Sequence, residues 1–123
     1  MIGLRLLVLA GSLLVSSVVL AAEAKVTVLY GQPKSTEEFD KYYFQTHMPM
    51  VYAVKEVKKV EISRPLPPPS GTPTYILTEL WFENMDSFKA VSETPEWKAI
   101  VADVPKFASG GASVLVSVIE PKH

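Results

Sequence analysis

The sequence has 123 residues, one domain's worth, with 48% hydrophobic residues and a formal net charge of −1. Near-neutral charge, with no basic run interleaved with aromatics, excludes a nucleic-acid surface. The absence of Cys excludes a disulfide framework, a thiolate metal site, a cysteine nucleophile and a lipidated cysteine.

The apolar content is concentrated at the start. Met1 to Ala24 reads as a secretory signal, because Arg5 is the only charge before Glu23 and Leu6 to Leu20 is an apolar run. Ala21, Ala22 and Ala24 offer small-residue cleavage sites after Ala22 or Ala24. The rival reading is an uncleaved anchor, but the run is roughly 15–17 residues where a bilayer core needs ~20. Cleavage leaves no stable membrane span, and loss of Arg5 moves the charge from −1 to −2. The expected location is periplasmic or secreted, and residues 25–123 form the expected domain. A domain of about 100 residues buries roughly two-thirds of its surface, so a second copy would help considerably.

Lys25 to Gly31 alternates and is rich in β-formers, which predicts a strand. Ser35-Thr36-Glu37-Glu38 is a capping-box pattern opening a helix from about Thr36 to Val54. Phe39, Tyr43, Met50 and Val54 recur there at helical spacing. Pro49 removes one backbone donor and crowds the carbonyl of Gln45, which predicts a kink or break near His47. Val57 to Leu66 and Thr74 to Glu83 are expected as the second and third strands. The loop between them holds Pro65, Pro67, Pro68, Pro69 and Pro73, which cannot join a sheet ladder. The same prolines also match a polyproline ligand. Asn84 caps a short helix through about Ser92. Thr94-Pro95 starts another, which runs to about Val104. Gly110-Gly111 then turns the chain into a last strand, Ala112 to Ile119.

The order β-α-β-β-α-β, with the second helix split, predicts an α+β protomer of the ferredoxin-like kind. Its four-stranded antiparallel sheet carries helices on one face. Alternation along the third strand turns Ile76, Thr78, Leu80 and Phe82 toward the helices. It turns Tyr75, Leu77, Glu79 and Trp81 to the other face. Soluble monomers rarely leave such a patch bare. Two sheets are therefore expected to close face to face in a homodimeric barrel, with a cavity lined by Trp, Tyr and one carboxylate beside it.

Val26-Thr27-Val28-Leu29-Tyr30, Phe39-Asp40-Lys41-Tyr42-Tyr43 and Thr46-His47-Met48-Pro49-Met50-Val51 together resemble the EthD family. Downstream, Glu79-Leu80-Trp81-Phe82-Glu83-Asn84-Met85-Asp86-Ser87-Phe88 and Ala102-Asp103-Val104-Pro105 fit the same pattern. The resemblance covers essentially Lys25 to Glu120, and its most specific part is the His-Met-Pro motif after paired tyrosines. It implies membership of the dimeric α+β barrel superfamily. The family's type member accompanies a monooxygenase system for ether degradation, and many members carry an oxidoreductase label. The superfamily also includes polyketide cyclases, lactone isomerases, haem-degrading monooxygenases and cofactor-free quinol monooxygenases. Export is a departure, since the family is commonly cytoplasmic.

His47 is the first candidate for catalysis, because an imidazole with a pKa of about 6.5 suits proton transfer near neutral pH. The structural alternative is a ring bonded to a backbone carbonyl freed by Pro49. Tyr43, on the same helix face, is expected to donate a hydrogen bond, with Tyr42 about 100° away around the helix. Glu79 is expected as a base or as the group orienting His47, or alternatively in an intersubunit hydrogen bond. Trp81 and Tyr75 are expected to hold the substrate ring, with Tyr42 and Asp103 as further binding residues. Asp103 has a structural alternative in closing its helix.

No metal is expected, because His47 and His123 are the only histidines and a facial triad needs two with a carboxylate. No cofactor is expected either. Haem needs one histidine but has no other signal here, and Gly31-Gln32-Pro33-Lys34 is not a phosphate loop. The expected function is a cofactor-independent oxidoreductase acting on a small hydrophobic or aromatic compound. The alternatives are a non-catalytic binding protein for such a ligand, an isomerase or cyclase, and a dimer whose barrel is packed solid.

Overall fold

The structure is a computed structural model, and it describes residues 21–123 together with Gly3 and Gly11. The apolar run of the expected signal lies outside the described residues. Four strands form one antiparallel sheet: β1 (Ala24–Gly31), β2 (Lys59–Ser63), β3 (Thr74–Phe82) and β4 (Ala112–Val118), in the order β2-β3-β1-β4. Helices α1 (Thr36–Tyr42), α2 (Met48–Tyr52), α3 (Met85–Ser92) and α4 (Pro95–Asp103) cover one face. The arrangement is the expected ferredoxin-like α+β fold.

The expected long helix is three segments. Ser35 caps α1, its hydroxyl accepting from the Glu38 amide. A π-helical turn, Tyr43–His47, follows and ends with the Met48 amide donating to the Tyr43 carbonyl. Pro49 sits in the first turn of α2, where its missing N–H costs nothing. The predicted break near His47 is thus a wide turn, a feature frequent at functional sites. Helix α2 ends at Tyr52 rather than Val54.

The second strand is shorter than expected, five residues rather than Val57 to Leu66. It ends where Arg64 leaves the ladder to bond Asp40 of α1, with 3.0 Å from a guanidinium nitrogen to Oδ2. Asn84 and Thr94 cap α3 and α4 through their side chains, as their positions imply. The turn into β4 needs its glycines: Gly111 has φ +86°, and a Cβ on Gly110 would lie 2.3 Å from the Gln32 carbonyl oxygen.

The core lies between the sheet and the helices. Val26 and Tyr30 of β1 and Ile76, Leu80 and Phe82 of β3 meet Phe39, Tyr43, Met48, Val51, Val91, Trp97, Ile100 and Phe107. One end is aromatic: the rings of Tyr30, Phe39, Tyr43 and Phe107 lie 5.2–5.6 Å apart in pairs. Truncating one of these to Ala removes about 3–5 kcal/mol of packing.

The uncovered face of the sheet is mixed in character. Leu29 pairs with Leu77 at one end. At the other end Lys25 bridges to Glu79 at 2.9 Å, and Lys59 sits 4.6 Å over the Trp81 ring. Tyr75 is not on this face. A register shift between Tyr30 and Gly31 leaves it without a partner on β1. This bulge breaks the alternation and turns the ring onto Phe39, 5.1 Å away, with its hydroxyl donating to Asp40 Oδ1 at 2.7 Å.

Candidate functional site

His47 closes the π turn, and the turn aims its ring inward. It stacks on Tyr43, centroids 5.9 Å apart, and leans on Phe107 at 4.6 Å. Nδ1 lies 3.0 Å from Oδ2 of Asp103, at the C-terminal end of α4. The other carboxylate oxygen accepts from the Tyr42 hydroxyl at 2.6 Å, with Lys106 Nζ 3.6 Å away. Both members of the pair are buried, with His47 2% and Asp103 5% exposed.

Burial lowers the His47 pKa from its ordinary value, and this outweighs the raising effect of the Asp103 carboxylate. At neutral pH the ring is therefore uncharged. Burial alone would raise the pKa of Asp103, but hydrogen bonds from Tyr42 and His47 overcome that and hold it below the usual carboxylate value. The Tyr42 hydroxyl, bonded to that carboxylate, is raised. A neutral imidazole facing a carboxylate places its proton on Nδ1, which leaves Nε2 as an acceptor.

His47, but not Asp103, lines a cavity of about 280 Å3 between the sheet and the helices. Val26, Met48, Leu80, Phe88, Trp97 and Ile100 make most of its wall apolar. Thr78 and Tyr30 are the hydroxyl-bearing residues that line it. Apolar walls with a few convergent polar groups are the usual form of a small-molecule site. A larger depression of about 490 Å3, near Val54 and Ala99, has Lys55, Glu56, Thr94 and Glu96 for polar walls. The Thr94 hydroxyl is used in capping α4, and no group there has the buried, oriented character of His47.

The sequence candidates divide into three groups. His47, Asp103 and Tyr42 come together as a connected set, with Asp103 as the orienting group rather than a ligand contact. Tyr43 stands behind the cavity wall. Its hydroxyl bonds Thr78, and burial, partly offset by that bond, pushes its pKa up to about 12. The third group does not reach the cavity. Glu79 neighbours Thr78 on β3 and points through the sheet, where it pairs with Lys25, so it neither orients His47 nor acts beside it. Trp81 shares that outer face between two lysines. Tyr75 belongs to the Asp40–Arg64 cluster. In the single chain the cavity that His47 lines is on the helix side of the sheet. Thr78, Tyr30 and Trp97 are cavity residues that sequence reasoning assigned to the core or did not single out.

Fold and site together define a ferredoxin-like α+β protein with a buried histidine–carboxylate pair opening on an apolar cavity. The family model for the EthD domain matches residues 31–111, and the chain belongs to the EthD family. An uncharacterized 11.0 kDa protein from the thcB-thcC intergenic region of Rhodococcus erythropolis is 33% identical over 95 residues, covering 74% of this chain and 89% of that protein. The crystal structure of an EthD family protein from Bacillus halodurans superposes with TM-score 0.71 at 26% identity, covering 77% of this chain and 96% of the other. At 13% identity a dimeric ferredoxin-like protein of unknown function from Thermobifida fusca shares the fold (TM-score 0.61; 80% and 92% covered). At 9% identity so does SnoaB, a cofactor-independent oxygenase from Streptomyces nogalater (TM-score 0.61; 83% and 97% covered). Among the described residues, no helix is long and apolar enough to cross a membrane.

Proposed function

We propose that this chain is a cofactor-independent enzyme that uses His47 as a general base on a small hydrophobic or aromatic compound. The carrying observation is the buried imidazole held through Nδ1 by Asp103 beside an apolar cavity that His47 lines. A base so placed removes a proton where water is largely excluded and its tautomer is fixed. Oxidation is the first reaction class to test. An anion formed on the bound compound can react with dioxygen without a bound cofactor, and a cofactor-independent oxygenase shares the fold. The apolar lining favours a second reading, a carrier that holds such a compound unaltered.

Export to the periplasm or beyond belongs to the same proposal and rests on the Met1 to Ala24 pattern. So does a homodimer closed over the free sheet face, which a dimeric neighbour with the same fold supports.

The test sets wild type against His47→Gln on a panel of small phenols and cyclic ketones. Dioxygen uptake is followed with the phenols, and deuterium exchange beside the carbonyl with the ketones. At least one compound should react, and the variant should slow it by about 100-fold or more. Compounds that bind and are recovered unchanged would favour the carrier. Reaction at an equal rate in both proteins would remove His47 from the chemistry.

A further inference from the structure

Two hydroxyl-bearing residues line the sheet side of the same cavity. Tyr30 of β1 is 2% exposed. Its hydroxyl has no hydrogen-bond partner among the described residues. Yet no fully enclosed side-chain nitrogen or oxygen there is left unpaired, so this hydroxyl borders open space. The Tyr30 side chain lines the cavity. Burial, reinforced by the neighbouring Tyr43, raises its pKa, so it stays protonated and able to donate.

Thr78 of β3 is the second. Its oxygen is bonded to the Tyr43 hydroxyl. Tyr43 is fully buried, and its hydroxyl has no other partner among the described residues. If Tyr43 donates, the Thr78 hydrogen is free for the cavity that Thr78 lines. In that arrangement Tyr43 would act at one remove, by setting the direction of the Thr78 hydroxyl. Tyr30 and Tyr43 pack ring to ring, 5.5 Å between centroids, and Tyr43 stacks on His47. Tyr30, Thr78 and His47 thus all contact Tyr43.

We propose that Tyr30 and Thr78 form an oxygen-binding pair, and that the ligand is a small apolar compound whose conjugate base is an oxyanion: a phenol, an enol or an enolisable ketone. This rests on the general-base reading of His47. In the step it implies, the substrate O–H or α-C–H bond breaks and an N–H bond forms at Nε2. The electron pair released ends on the substrate oxygen, and for a ketone the C=O pair moves to oxygen as a C=C bond forms. The oxyanion accepts from the Tyr30 and Thr78 hydroxyls, while Asp103 faces the imidazolium. Donors fixed in advance at the point where charge develops give the largest benefit in a water-poor site.

The probes are 4-nitrophenol and nitrobenzene, alike except for the hydroxyl. Each is titrated at a pH where free 4-nitrophenol is mostly protonated. Wild type should prefer 4-nitrophenol by about tenfold or more, the worth of a hydrogen bond to a charged acceptor. Tyr30→Phe should cut that preference sharply while leaving nitrobenzene affinity unchanged. Thr78→Val should do the same and Thr78→Ser should restore it, which separates a lost donor from a disturbed fold. The bound phenolate's absorbance reads the base separately. If it persists in His47→Gln while the preference also persists, the base reading fails and the oxygen pair stands. Equal binding of both compounds, a preference untouched by Tyr30→Phe, or binding of neither would overturn the oxygen pair.

Discussion

Oδ2 of Asp103 lies 3.0 Å from Nδ1 of His47, a contact between residues 56 positions apart that joins the end of α4 to a π turn beside α1. The carboxylate fixes the tautomer and raises the basicity of a ring that burial depresses. Asp103→Asn keeps the size and removes the charge. Its activity on any compound turned over by wild type should fall about 100-fold, the scale of a misplaced catalytic group. The acid limb of its pH–rate profile should move to lower pH, because a raising influence on His47 is gone. A purely structural Asp103 would change thermal stability and leave that limb in place.

The same pair predicts an acid-sensitive fold. The His47 pKa is lowered from 6.5 in the folded protein, so the native state binds fewer protons than the unfolded chain as pH falls below that value. Asp103 is lowered from 3.8 and acts in the same sense further down. The stability from both is present above pH 6.5 and is lost in turn as pH falls through the folded pKa of His47 and then that of Asp103. Urea denaturation at a series of pH values should show the decline begin below 6.5, and His47→Gln should flatten that first stretch. Stability that increases on acidification through this range would mean that the ion pair outweighs burial, and His47 would then be charged.

Local signals made much of the fold legible, and non-local contacts hid much of the site. Ser35, Asn84 and Thr94 announce helix starts because capping acts within three residues. Pro49 announces a break because its missing donor is a local fact. That the break would be a π turn ending at His47 depends on how Tyr43 and Met48 pack, which spacing does not encode. Strict alternation placed Thr78 and Glu79 on opposite faces correctly. The same alternation turns Glu79 away from His47, since a strand residue one step from a core position points away from the core. Tyr75 was misplaced because one bulged residue inverts parity, and the bulge arises from pairing with β1. Asp103 looked like a helix terminator because its partners, Tyr42 and His47, come from another part of the chain.

Ala24 bears on where an exported chain begins. It is 0% exposed and pairs with Phe82 on one side and Val118 on the other. The Ile119 amide donates to the Glu23 carbonyl at 2.8 Å. Cleavage after Ala24 would remove a buried residue and this bond, whereas cleavage after Ala22 keeps both. Intact-mass measurement of protein from the exported fraction should give a chain starting at Glu23. A chain starting at Lys25 would show that the end of β1 is dispensable, and one starting at Met1 would exclude cleavage altogether.

The free face of the sheet is where the proposed dimer would close. Leu29 and Leu77 form a cross-strand pair there, and Leu115 of β4 is 59% exposed in the single chain. The Lys25–Glu79 bridge and the lysines over Trp81 occupy the other end. A twofold axis near the leucines would bury apolar against apolar and leave the charged ends at the rim, where ion pairs remain hydrated. Sedimentation should therefore show a dimer. Leu77→Glu places a carboxylate in the middle of the apolar end, where burial without a partner is costly. It should weaken the dimer by about tenfold or more, with the protomer still folded because Leu77 faces away from the core. The Lys25–Glu79 bridge, partly exposed in the single chain, should matter less, so Glu79→Gln should leave the dimer largely intact. A wild-type monomer at every concentration would overturn the face-to-face arrangement and leave the His47 cavity, which lies on the helix side, unaffected.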